Sequence, residues 1–293
     1  VNDLPQTEEQ HAATRDLDVR DDRDLVALLV AGQRAAFDAA GTAVPAIATA
    51  VAGIVERLQR GGRLHYVGAG TSGRLGVLDA SEMPPTFGTP SDLVCAHIAG
   101  GEAALRRAVE GAEDDARAGA HDMRGHVRAE DAVAGISASG RAAFVIAALS
   151  AAREAGAYTI AIVNDERAPL IAHADVAIVL PTGAESIAGS TRLAAGTAQK
   201  VALNALSSAV MVRLGKVYDN LMVDVVASNA KLRARALRLV VQLTGLDDEA
   251  AQTALDTAGG RVKIAVVMVR RKVSAGEAAA LLERERGSLR ALL

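Results

Sequence analysis

Apolar residues follow two rhythms along this chain. Over about 21–40 and again over 44–58 they recur at helical spacing, with Gly41 and Pro45 punctuating the gap. Beyond Gly61-Gly62 the rhythm changes to five short apolar runs, at 64–67, 93–98, 132–136, 159–163 and 176–180. Each run leads into turn residues: GAGTSG, Gly100-Gly101, SASGR, NDERAP and PTGAES in order. Helical spacing fills the intervals at 71–81, 102–119 and 141–155. Strand, loop and helix at this cadence predict a parallel sheet with right-handed crossovers. All five loops then fall on the carboxyl edge of the sheet, where such folds bind ligands.

After Pro181 the pattern is helical throughout and no further strand is expected. One long helix is predicted over 192–214 and another over 224–243, then shorter ones at 247–257, about 261–272 and 275–285. The predicted fold class is α/β, a five-stranded parallel doubly wound sheet with N-terminal helices and a small C-terminal helical bundle. The expected domains are 1–55 (arm and helices), 56–219 (the sheet) and 220–293 (the bundle). Residues 1–20 are polar and acidic with few apolar anchors, which reads as an arm that orders against a partner.

Composition narrows the function classes. Of 293 residues half are apolar but only 2% aromatic, and none is Trp, so Ala, Val, Leu and Ile must build the core. That leaves little to stack on bases, and a net charge of −3 supplies no basic surface, so nucleic acid is not the expected partner. Cys95 is the single cysteine, which excludes an internal disulfide and disfavours a cysteine metal site. No apolar run approaches the roughly 20 residues of a membrane helix. The chain reads as cytoplasmic, with no membrane contact and no cofactor.

The candidate chemistry begins at YVGAGTSGRLGVLDASEMPPTFG, residues 66–88. Gly68, Gly70 and Gly73 fit the dinucleotide fingerprint, yet the second predicted strand ends His97-Ile98-Ala99-Gly100, with no carboxylate for a ribose. Thr71 and Ser72 instead place hydroxyls between the glycines, and Ser137, Ser139 and Gly140 repeat that chemistry after the third strand. Two hydroxyl loops on one edge favour a phosphomonoester, the alternative being serines that only cap helices. Glu82 is expected at the C-terminal end of the first crossover helix, because Met83 precedes Pro84-Pro85. There the helix dipole and partial burial would hold its proton, as a general acid requires; the plain alternative is an exposed helix end. In the predicted helix 102–119, Glu113 borders an apolar stripe of Leu105, Val109, Ala112 and Ala116, which makes it a candidate acid or base. No histidine shares that helix, so a metal cluster is disfavoured; His65, His97 and His173 read as structural. Ser190 and Lys200, in GSTRLAAGTAQK, offer a hydroxyl and a cation that complete an anion site or simply begin a capped helix. Asp219, Asn220, Asp224 and Asn229 read as a structured junction or subunit contact.

These blocks, with IAGGEAALRRAVEGAEDD and GKVYDNLMVDVVASNAKL, resemble the N-acetylmuramic acid 6-phosphate etherases over about residues 60–235, and more broadly the sugar isomerase (SIS) domain. The resemblance implies cleavage of a D-lactyl ether to N-acetylglucosamine 6-phosphate and D-lactate, in cell-wall sugar recycling. It implies a homodimer with sites completed across the interface, a sugar-phosphate substrate and no metal. It places the two catalytic glutamates on Glu82 and Glu113 and the phosphate loops on Thr71, Ser72, Ser137 and Ser139, with Gly70, Gly73 and Gly140 of the same turns as further substrate-binding candidates. Departures are Arg141-Ala142, where many such loops carry Thr, the NDERAP loop, and the N-terminal arm with His11. The rivals are a non-catalytic phosphosugar-binding regulator on the same fold and a phosphosugar isomerase. Retention of both glutamates favours the enzyme.

Overall fold

The computed structural model describes residues 4–224 and 230–293. Contacts divide it into two compact units, the chain up to Ala80 with Asp92–Ser207, and Ser81–Ser91 with Ser208–Leu293. The first unit holds the sheet. Its strands β1 (Leu64–Gly68), β2 (Val94–Ile98), β3 (Ala132–Ser137), β4 (Tyr158–Val163) and β5 (Val176–Val179) pair in the order β2-β1-β3-β4-β5. Every pairing is parallel, with Gly68 opposite Ile98 on one side and Ile136 on the other. All five expected strands form within a residue or two, because runs of this apolarity are stable only when buried on both faces. β1 and β3 are buried along their whole length.

The N-terminal region forms α1 (Asp22–Gly32), α2 (Arg34–Thr42) and α3 (Val44–Gln59). The single helix expected over 21–40 is therefore two, joined at Gln33. Asp21 caps α1 by accepting the Asp24 N–H at 2.9 Å, and α3 starts with Pro45 in its first turn, where a missing N–H costs nothing. The arm before α1 is anchored within its own chain, contrary to expectation. Thr7 is buried, its carbonyl accepts the Gly189 N–H at 2.8 Å, and Arg167 Nη2 donates to the Leu4 carbonyl at 3.1 Å.

The crossover helices are α4 (Gly70–Phe87) after β1, α7 (Ala143–Glu154) after β3, and the short α5 (Ala103–Arg106) and α6 (Ala116–Arg124) after β2. The helix expected over 102–119 does not form. Arg107 is extended, Gly111 takes a left-handed φ of 70°, and only a 3-10 turn at Ala112–Asp114 intervenes before α6. Leu105 and Val109 are accordingly exposed rather than part of a stripe. α6 lies so close to α7 that a Cβ at Gly119 would sit 2.0 Å from the Phe144 carbonyl oxygen, so this crossing requires glycine. After β5 the helix α8 (Ala194–Arg213) forms as expected.

In the second unit α9 (Ala230–Thr244), α10 (Asp248–Thr257), α11 (Val262–Arg271) and α12 (Ala275–Arg284) bury a core that includes Leu239, Val240, Leu255, Val266, Val267 and Leu289. A Ser274–Glu277 capping box starts α12. Two strands do follow Pro181: β6 (Val217–Tyr218) and β7 (Leu221–Met222) pair antiparallel around Asp219-Asn220, with Asp219 at φ 53°. Strands of two residues are too short to leave a periodic signal, whereas the Asp-Asn turn chemistry is readable. Asp224 binds Lys263 at 2.8 Å and Lys216 at 3.0 Å, as a structured junction would. The helix expected from 224 is not yet formed at Asp224, which lies in a turn, and the polar role of Asn229 falls on 225–229, outside the described residues. No single helix among the described residues is long and apolar enough to cross a membrane.

Candidate active site

The strand order puts a topological switch between β1 and β3, since the chain leaves β1 toward β2 on one side and later continues through β3 on the other. Loops diverge at such a point and open a crevice at the carboxyl ends of the strands. The two hydroxyl loops flank it, one after Gly68 and one after Ile136, which are register partners. The first is almost entirely helix start. α4 begins at Gly70, whose φ of 55° lies in the left-handed region that favours a residue without a Cβ. Its first i→i−4 bond joins the Gly73 N–H to the Ala69 carbonyl at 3.2 Å, which leaves the amides of Thr71 and Ser72 ahead of the helical ladder. A Cβ on Gly68 would lie 2.6 Å from the Gly73 nitrogen, so strand and helix close tightly around the turn.

In the second loop, Ser137 Oγ accepts the Gly140 N–H at 3.1 Å and Ser139 Oγ accepts the Arg141 N–H at 3.2 Å. An oxygen that accepts from backbone keeps its hydrogen to donate elsewhere. The structure thus brings together Gly70, Thr71, Ser72 and Gly73 with Ser137, Ser139 and Gly140. A third element joins them, because a Cβ on Gly196 in the first turn of α8 would lie 3.3 Å from the Thr71 methyl. Lys200, one turn further along α8, donates to Asn204 Oδ1 at 2.7 Å. Ser190 sits before the helix and donates its amide to the Ile187 carbonyl.

The start of α8 is not an open anion site. Glu185, fully buried, accepts the N–H groups of Ala194 and Ala195 on its two carboxylate oxygens, both at 2.9 Å. The protein supplies its own anion to that helix end. A carboxylate nine residues before its helix has no capping spacing, so nothing in the local sequence reveals it. Asp79 was equally hidden. It lies buried in α4, accepting from Tyr66 Oη at 2.9 Å and Ser207 Oγ at 3.2 Å. Burial raises its pKa, against the lowering effect of those two hydroxyls and of the Lys200 charge.

The two glutamates stand differently from expectation. Glu82 is in the body of α4, not at its end, because the helix continues through Pro84 and Pro85 to Phe87. Met83 and Phe87, four residues apart, are both buried, and their packing holds the last turn against the prolines' lost hydrogen bonds. The helix-end dipole argument for a held proton therefore falls away, and Glu82 is exposed. Glu113 is exposed on its 3-10 turn, so it does not edge a buried face. Its segment is tied to the first turn of α4 by Arg74 Nη2, which donates to the Arg107 carbonyl at 3.3 Å.

Each of the three histidines read as structural has a partner. His65 Nδ1 lies 3.0 Å from His97 Nε2, and His65 Nε2 lies 3.4 Å from Asp131 Oδ2. Burial, then the neighbouring His97, lowers His65 to about 4. His173 Nδ1 meets Ser150 Oγ at 2.8 Å. Among the described residues no three His, Cys, Asp or Glu side chains are placed to hold a metal ion.

Comparison with known proteins gives the same domain. Residues 46–153 match the glucokinase regulatory protein N-terminal SIS domain, and residues 112–209 match the SIS domain model. The chain is 50% identical over 294 residues to an N-acetylmuramic acid 6-phosphate etherase of Deinococcus radiodurans, covering 100% of this chain and 96% of that protein. Against the etherase of Symbiobacterium thermophilum it is 59% identical over 224 residues, 76% of this chain and 75% of that protein. Among solved structures a phosphoheptose isomerase from Francisella tularensis superposes with a TM-score of 0.53 at 18% identity, covering 65% of this chain and 97% of that one, a likeness of fold.

Proposed function

The chain belongs to the N-acetylmuramic acid 6-phosphate etherase family, and from that premise we propose how its residues divide the reaction. It is a carbon–oxygen lyase that cleaves the lactyl ether of N-acetylmuramic acid 6-phosphate, a step in peptidoglycan sugar catabolism. The rival readings, a silent regulator and an isomerase, give way to that assignment.

The observation that carries the site reading is the pair of hydroxyl loops at the β1/β3 switch. In this reading the phosphate sits between the two loops. The amides at the start of α4, the Thr71 hydroxyl and the hydroxyls of Ser137 and Ser139 donate to it, while Gly70, Gly73 and Gly140 let backbone approach closely. Glu185 takes the backbone N–H groups at the start of α8, so from that side only the Ser190 hydroxyl, before the helix, and the Lys200 ammonium, a turn further along it, serve the same anion. An alkyl ether leaves too slowly for direct displacement by water. With the sugar open, the C1 aldehyde acidifies the C2 proton. Glu113 takes that proton, the C3–O bond breaks, and Glu82 protonates the departing D-lactate. Water then adds to C3 and a proton returns to C2, which restores N-acetylglucosamine 6-phosphate. Each carboxyl group acts by proton transfer, a contribution of about 10² to 10⁴ in rate. Glu82→Gln and Glu113→Gln should each lower D-lactate release by that order with the thermal midpoint unchanged; near-normal release from either variant would remove that residue from the mechanism.

A homodimer belongs to the same proposal. Val26 and Val30 on α1, Phe37 on α2 and Val44 on α3 are 57–65% exposed, and α1 buries no residue at all. An apolar face of this kind rarely stays in water on a monomer, and a second copy of the chain covers it in this reading. The exposure of both glutamates in the single chain fits sites completed by a partner. The division into 1–55, 56–219 and 220–293 is kept as the functional one: arm and contact helices, phosphosugar domain, and helical bundle.

A further inference from the structure

Behind the first phosphate loop runs a buried chain of polar side chains that the reaction scheme does not use. Ser72 Oγ lies 2.8 Å from Gln199 Oε1, Gln199 Nε2 lies 2.9 Å from Asn164 Oδ1, and Asn164 Nδ2 lies 2.9 Å from the Leu180 carbonyl oxygen and 3.5 Å from that of Ala195. Asn164 is fully buried, Gln199 and Ser72 nearly so. The chain links the start of α4, the body of α8, the end of β4 and the residue after β5.

Its hydrogen order follows from one end. A backbone carbonyl only accepts, so Asn164 must turn its amide nitrogen to Leu180 and its oxygen to Gln199. Gln199 must then donate through Nε2 and present Oε1 to Ser72. An amide oxygen also only accepts, so the Ser72 hydroxyl is the donor in the last bond. Its one hydrogen points inward and is spent. Ser137 and Ser139 are placed the opposite way, accepting from backbone with their hydrogens free to donate. The three loop serines, alike in sequence, thus differ in chemistry.

The geometry points to Gln199 and Asn164, with Ser72, as positioning residues that lock the first turn of α4 in its anion-binding shape; Ser72 does not bind phosphate through its hydroxyl. This rests on the reading of 70–73 as a phosphate cradle. A misplaced turn weakens substrate binding while the carboxyl groups continue their work once substrate is bound, so the effect belongs in KM.

The test measures D-lactate release from N-acetylmuramic acid 6-phosphate by the full chain and its variants Thr71→Val, Ser72→Ala, Gln199→Leu and Ser72→Ala/Gln199→Leu. Loss of one link should raise KM about tenfold with kcat held within about threefold, the scale of one hydrogen bond. The double variant should be no worse than the worse single one, because both cut the same chain. Multiplying effects would mean that Ser72 touches the phosphate itself and would overturn the assignment. An unchanged KM in Gln199→Leu, or a fall in kcat alone, would do the same while Thr71→Val still raises KM. If Thr71→Val also leaves KM unchanged, the cradle reading fails first and the relay with it. Should Gln199→Leu not fold, Gln199→Met keeps the length and removes the same bonds, and the same outcomes decide.

Discussion

Replacing Glu185 with Gln tests the helix-start arrangement at α8 without changing its volume. The wild-type carboxylate accepts two backbone N–H groups, from Ala194 and Ala195, each at 2.9 Å, and is fully buried. A carboxamide has one acceptor oxygen, so its NH2 must face the second N–H, donor to donor. Leaving that buried amide unsatisfied costs about 1–3 kcal/mol. Loss of the negative charge from the positive end of a helix adds about 0.3–1 kcal/mol, toward 2 where it is buried. The two together give roughly 1–5 kcal/mol, large against the usual net stability of a domain. Urea unfolding followed by circular dichroism would read it as a lower midpoint with an unchanged slope. A rise in KM should accompany it, since the first turn of α8 carries Gly196 against Thr71. A Glu185→Gln protein within about 0.5 kcal/mol of wild type, the range of an unremarkable surface change, would refute the reasoning.

Two further outcomes follow from other parts of the molecule. His65 is held at about 4 in the folded chain against 6.5 when free, so as pH falls from 6.5 toward 4 the unfolded chain takes a proton that the folded chain refuses. Stability should be full above 6.5 and fall by about 3 kcal/mol across that window, and His65→Gln should remove that part of the slope in unfolding curves at stepped pH; an identical slope in both proteins would contradict it. Phe37→Asp should shift the sedimenting species from dimer to monomer and reduce lactate release with it, whereas a wild-type chain that sediments as a monomer at assay concentrations would dismiss the α1–α3 contact.

Much of the fold was legible because its parts obey local rules. The five strands announce themselves as apolar runs that can be buried only in a two-sided sheet, and the loops that follow carry the glycines their backbone demands. The two hydroxyl loops were legible for the same reason: a tight strand-to-helix turn and its hydroxyls lie within a few residues. Where packing overrides local preference, the reading failed. Pro84-Pro85 promised a helix end, but the burial of Met83 and Phe87 carries α4 on, and the helix over 102–119 dissolved at Gly111. What lies behind the site was out of reach for a different reason. Ser72 and Gln199 are 127 residues apart, and only the folded sheet makes Asn164 their neighbour. Glu185 and Asp79 look like ordinary surface acids until the structure buries them. Conversely Glu82 and Glu113, expected as half-buried acids, stand exposed in the single chain.

The most direct test of the chemistry is the reaction run in deuterium oxide, with the N-acetylglucosamine 6-phosphate analysed by NMR and mass spectrometry. Elimination followed by addition requires the C2 proton to leave and a solvent proton to replace it. The account predicts one deuterium at C2 in every product molecule formed by the wild-type chain. Product that retains its original C2 hydrogen, released together with D-lactate, would show that the ether breaks by another route and that Glu113 has no proton to take.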